Sequence, residues 1–97
     1  FGNYDAAFIA AVQKRWYDLI DASAIVTASG KVVVVFKLYQ DGHIDSVQEV
    51  SSTVNTLQGL LCQKAITDPA PYSPWPSELR RAVQGDVREV KFTFYYR

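Results

Sequence analysis

The order of apolar patterns along the chain predicts an α+β fold: a two-layer sandwich with the element order α-β-β-α-(α)-β. Its sheet has three strands, and its helices cover one face. Three observations carry this. Apolar side chains recur at helical spacing from Tyr4 to Ile20. Two β-rich runs flank an Asp-Gly pair between Lys31 and Val50. The chain then closes on "EVKFTFYYR", where Val90, Phe92, Phe94 and Tyr96 alternate with Glu89, Lys91, Thr93 and Tyr95 in the period of two of a strand with one buried face.

In the first segment Tyr4, Phe8, Val12, Trp16, Leu19 and Ile20 form one apolar stripe. Asn3 is expected to cap it, and Asp5 falls where the helix dipole favours a carboxylate. "DASAIVTASG" is a connection, with an irregular extended piece expected at Ala24 to Thr27. Lys31 to Tyr39 is dense in β-branched and aromatic residues and predicts a strand. "QDGH" predicts a two-residue type I′ turn, and His43 to Val50 the returning strand. The three-residue spacing of Ile44, Val47 and Val50 predicts a bulge or a half-exposed strand there.

The second helix follows Asn55, which with Gln58 has the spacing of a capping box. Leu57, Leu60, Leu61, Ala65 and Ile66 are its expected apolar face. "DPAPYSPWP" holds all four prolines within eight residues and predicts a semi-rigid extended link. "SELRRAVQG" predicts a short helix capped by Ser77 and stopped by Gly85, and the last strand runs from Val87 to Tyr96. Antiparallel pairing of the last strand with the first gives the order second-first-third. The sheet is then of antiparallel type, mixed in that the two outer strands run parallel, joined by a right-handed helical crossover. The last strand lies at an edge.

The 97 residues suffice for a single domain, taken here as 1–97. Hydrophobic residues at 48% and charged residues at 21% are ordinary for a folded protein. Ten basic against ten acidic residues leave no electrostatic footprint for nucleic acid. One cysteine allows no internal disulfide, and no apolar run reaches the roughly 18 residues of a membrane span. The chain opens at Phe1 without a methionine, and it is expected to be part of something longer.

Catalytic and metal chemistry find little support. His43 follows the Asp-Gly turn beside Asp41 and Asp45, with no partner at ligand spacing, and reads as a solvated turn residue. Cys62 next to Leu61 reads as a small buried side chain rather than a nucleophile. Asp41, Asp45 and Glu49 are too few and too dispersed for a calcium loop, and the five glycines are too scattered for a phosphate loop. Arg80, Arg81, Arg88 and Lys91 read as a solvated face. No catalytic residue, cofactor or metal is therefore expected. What remains is the edge. A strand edge is a liability unless it is covered or used. It can accept a partner peptide as an added strand, or pair with a second copy across a two-fold axis to make a structural dimerisation module.

Several of these stretches taken together resemble the C-terminal domain of the TonB and TolA energy transducers. The residues are "VQKRW" at the end of the first helix; "GKVVVVFKLYQDGHIDSVQEVSS", similar to the family's Gly-x-Val-x-Val-x-Phe strand, Asp-Gly turn and Ser-Ser; "LQGLLCQKAITDPAPYSPWP", similar to its second helix and proline-rich exit; and the closing "VKFTFYY". The likeness runs from about Tyr4 to Tyr96. It departs from the family at "WYDLIDASAIV", which lacks the Tyr-Pro pair of many TonB proteins, at the stretch Tyr72 to Gly85, which is longer than in many members, and at Cys62, which stands alone where TolA has paired cysteines.

The resemblance implies a non-enzymatic periplasmic domain, held to the inner membrane by an anchor and linker outside this fragment. It implies an outer-membrane receptor or periplasmic protein as partner, and an inner-membrane motor complex acting through the missing N-terminal region. In TonB proper a receptor peptide adds as a strand beside the last strand. By position that implies Arg88, Glu89, Val90, Lys91, Phe92, Thr93, Phe94, Tyr95 and Tyr96 as the partner-binding residues.

Overall fold

The computed structural model describes residues 2–24 and 27–97. Its elements are α1 (Gly2–Ser23), β1 (Gly30–Tyr39), β2 (Ile44–Ser52), α2 (Thr56–Thr67), α3 (Ser77–Ala82) and β3 (Val87–Tyr96). The α+β class and the element order are those the sequence predicts, and β3 has the predicted ends. The sheet order is β2-β1-β3 with both pairings antiparallel, so β1 is central and β2 and β3 are the two edges.

The core lies between one face of the sheet and the two long helices. α1 supplies Phe8, Val12, Trp16 and Leu19, four residues of the predicted stripe. β1 supplies Val32, Val34, Phe36 and Leu38, β3 supplies Phe94 and Tyr96, and α2 supplies Leu61, Cys62, Ala65 and Ile66. Phe8 stacks on Phe36 at 5.8 Å between centroids, and Trp16 meets Phe94 and Tyr96 edge-on at 5.1 and 5.0 Å. Such pairs add about 0.5–1.5 kcal/mol each beyond the area they bury.

Several local expectations change. α1 begins at Gly2, so Asn3 is a residue of the first turn and not its cap. Ala24, with φ 53, takes the left-handed position that ends the helix. The extended piece expected at Ala24 to Thr27 centres on Ile25 and Val26, which lie outside the described residues.

The hairpin turn is not type I′, because only Gly42 among its residues has positive φ (97°). Gly42 N–H donates to the Tyr39 carbonyl and Tyr39 N–H to the His43 carbonyl, both at 2.9 Å, which makes a three-residue loop with glycine at its last position. Gly42 is also needed for space: a Cβ there would overlap the Tyr72 carbonyl. The proline-rich segment is therefore docked, not merely a spacer. Tyr72 N–H donates to the Gly42 carbonyl at 2.8 Å and Trp75 N–H to the Gln40 carbonyl at 2.9 Å. Its Trp75 and Leu79 of α3 are both buried.

The apolar face of α2 is rotated from the predicted one. Leu57 and Leu60 are about half exposed, while Gln58, Gly59 and Cys62 are buried with Leu61, Ala65 and Ile66. Half of the capping box forms: Asn55 Oδ1 accepts from Gln58 N–H at 2.8 Å. The Gln58 side chain instead binds the backbone of Ala28, donating Nε2–H to its carbonyl at 3.0 Å and accepting its N–H at 3.1 Å. α3 is capped by Pro76 without a side-chain bond; Ser77 is already helical, and the helix ends at Val83, ahead of Gly85.

Candidate functional site

The two sheet edges are not equivalent. β2 carries two bulges against β1. Val50 is the extra residue where Val33 and Val34 face Ser51 and Glu49, and another residue is inserted where Val35 and Lys37 face Gln48 and Asp45. Ser46, inside the second bulge, has φ 55. Bulges turn the unpaired groups of an edge out of line and blunt it for pairing. β3 pairs with β1 over ten consecutive positions, Gly30 with Tyr96 through Tyr39 with Val87, without a shift. It is the straight edge.

Hydrogen bonds at the strand ends fix which groups of β3 are unpaired. Tyr39 N–H donates toward β2, and the Lys31 carbonyl accepts from Thr53 on that same side. Strand residues alternate direction, so the odd residues of β1 bond to β2 and the even ones to β3. The partners of Val32, Val34, Phe36 and Leu38 are Phe94, Phe92, Val90 and Arg88, which therefore turn their backbone groups inward. The bond from Gln40 N–H to the Asp86 carbonyl at 2.9 Å continues the pattern. Glu89, Lys91, Thr93 and Tyr95 point their N–H and C=O groups out of the sheet. Their side chains lie on the face away from the core, and Glu89, Lys91 and Tyr95 are exposed.

A groove of about 360 Å³ runs under this edge, between β3 and α1. Phe8, Leu38, Val90 and Phe92 line it, with Ile9 and Gln13 on its α1 rim. Arg88 Nη1 reaches Asp5 Oδ1 at 3.2 Å, tying the start of β3 to the first turn of α1. The far end of the strand is held by Tyr96. Its hydroxyl accepts from Trp16 Nε1–H at 3.1 Å and donates to the Gln58 carbonyl at 2.9 Å, with Cys62 Sγ 3.6 Å away. β3 is thus fixed at both ends, while among the described residues its outer rim stays unpaired.

The partner-binding set expected from the sequence accordingly divides in two. Glu89, Lys91, Thr93 and Tyr95 offer outward backbone groups. Arg88, Val90, Phe92, Phe94 and Tyr96 bond to β1 and send their side chains to the core side, where Val90 and Phe92 reach the groove and Phe94 and Tyr96 are buried. The α1 contribution was not foreseen. Asp5 reads in the sequence as a dipole residue, and Ile9 falls off the apolar stripe; that isoleucine off the stripe is the sequence signal for the rim, and in the structure it is 42% exposed.

His43 and Cys62 are not brought together. His43 is an exposed turn residue paired with Asp41 and stacked on Tyr39. Cys62 is fully buried in α2, where burial pushes its thiol up to about 11 and keeps it protonated at neutral pH. Among the described residues no group of three or more His, Cys, Asp or Glu side chains could hold a metal ion, and no helix is long and apolar enough to cross a membrane.

No protein-family profile and no curated protein matches the sequence. Solved structures do match the fold. The solution structure of residues 194–285 of the Helicobacter pylori TonB C-terminal domain superposes with a TM-score of 0.61 at 19% identity, covering 93% of this chain and 92% of that one. The longer form of the same domain, residues 179–285, gives 0.59 at 18% identity, covering 93% and 79%. The chain has the fold of a TonB C-terminal domain.

Proposed function

We propose that this is the periplasmic interaction domain of a TonB-like energy transducer. It takes up an extended segment of an outer-membrane receptor or another envelope protein as a fourth strand along β3. The observation that carries this reading is the unequal pair of edges: β2 is bulged twice, whereas β3 is straight over ten residues and, among the described residues, unpaired on its outer side. The fold likeness to a TonB C-terminal domain supports the transducer role. Backbone hydrogen bonds from Glu89, Lys91, Thr93 and Tyr95 hold the added strand, and the groove selects among its side chains. The domain does no chemistry of its own in this role. Energy from an inner-membrane, proton-driven motor complex reaches it through an upstream anchor and linker.

Amide hydrogen exchange tests the reading. In the free protein the amides of Val90, Phe92 and Phe94 should be protected and those of Glu89, Lys91 and Thr93 should exchange rapidly. Adding a receptor-derived peptide should slow the second set. Thr93→Pro removes one outward donor and no bond to β1, so it should keep the fold and lose the partner. A folded Thr93→Pro protein that binds as tightly as the parent would refute strand addition here.

A further inference from the structure

The outer face of the sheet carries charge in register across its strands. Asp45 of β2 lies opposite Lys37 of β1, and Lys37 lies opposite Glu89 of β3. The row therefore alternates in sign, and its last member faces the open edge. The neighbouring row ends in Lys91, whose β1 partner is the apolar Val35. Among the described residues neither Glu89 nor Lys91 forms an ion pair. Opposite charges facing one another across strands are favourable and like charges are not. The two edge side chains thus ask for the opposite order of sign in whatever strand lies next to them.

Resting on the strand-addition reading, we propose that the segment accepted along β3 has a basic residue opposite Glu89 and an acidic residue opposite Lys91, with an apolar residue between them. The alternation of a strand sends that middle residue to the core side, beside Val90, where the groove offers Phe92 and Ile9 as its apolar walls. The ligand class is an extended peptide with opposite charges two residues apart around an apolar one. In a parallel addition the basic residue comes first, in an antiparallel one the acidic residue does; the spacing is common to both.

The probe is a displayed random nonapeptide library, selected against the parent domain and against a Glu89→Lys/Lys91→Glu double variant. Both positions are exposed, so the exchange leaves the core intact. Peptides selected on the parent should show the charge pair at two-residue spacing. They should bind the double variant about fivefold more weakly, the effect of two cross-strand charge pairs of ordinary strength. Selection on the double variant should return the pair in reversed order. Peptides without charge order, whose binding Thr93→Pro abolishes, would leave strand addition standing and overturn this proposal. Peptides indifferent to Thr93→Pro, or no enrichment at all, would overturn strand addition and the proposal with it.

Discussion

Replacing Tyr96 by phenylalanine removes one hydroxyl from the closed end of the core and nothing else. In the parent that oxygen accepts from Trp16 Nε1–H at 3.1 Å and donates to the Gln58 carbonyl at 2.9 Å, tying the last residue of β3 to both long helices. Trp16 is 7% exposed, so water cannot replace the lost acceptor. A buried donor left unpaired costs about 1–3 kcal/mol, and the lost bond to Gln58 adds about 1 kcal/mol. A total of roughly 2–4 kcal/mol is a large share of the ~5–15 kcal/mol that holds a domain together. Urea unfolding followed by tryptophan fluorescence should show a lower midpoint with an unchanged slope, and melting should fall by on the order of 15 °C. Trp16→Phe, alone and combined with Tyr96→Phe, closes a double-mutant cycle in which the two changes should couple by at least about 1 kcal/mol. A Tyr96→Phe protein within about 0.5 kcal/mol of the parent, or additive changes in the cycle, would refute the account of this end of the strand.

Gly42→Ala should destabilise by about 3 kcal/mol, combining positive-φ strain with displacement of the Tyr72 carbonyl, whereas Gly85→Ala, at φ 117 in open space, should cost only the strain, about 1 kcal/mol. Equal unfolding midpoints for the two variants would mean that the proline segment does not rest on the turn. Stability should also fall in alkali: burial raises Cys62 to about 11 and lifts Tyr72 and Tyr96 above the usual tyrosine value. The unfolded chain then sheds protons first, so stability is full below about pH 8.5 and declines as pH rises beyond it. Urea midpoints that stay level to about pH 10.5 would contradict this, and Cys62→Ala should remove the earliest part of the decline.

The sequence disclosed whatever depended on local periodicity. Alternation placed Phe94 and Tyr96 in the core and left Glu89, Lys91 and Tyr95 outside it, and the stripe from Phe8 to Leu19 is the buried face of α1. It failed where a distant part of the chain decides the outcome. Gln58 is a polar residue at a core position, acceptable only because the backbone of Ala28 satisfies it, and that arrangement turns Leu57 and Leu60 outward. The Asp-Gly pair signals a turn, yet the loop form goes with the approach of Tyr72, thirty residues on. The candidate site was half visible for the same reason. An edge strand follows from strand order, whereas the groove exists only once α1 lies beside it.

The two bulges of β2 also bear on how copies of this chain can meet. Head-to-tail growth would need each molecule to offer β3 to the β2 of the next, and β2 is too irregular to receive it. Pairing of β3 with β3 remains, and that contact is isologous: a two-fold axis uses up both β3 edges at two copies and leaves only the bulged β2 edges outermost. Growth of the sheet beyond the pair would have to use those bulged edges, which disfavours fibres. Any such pair would hide the same rim that a partner needs, so self-association would act as a competitor for the ligand.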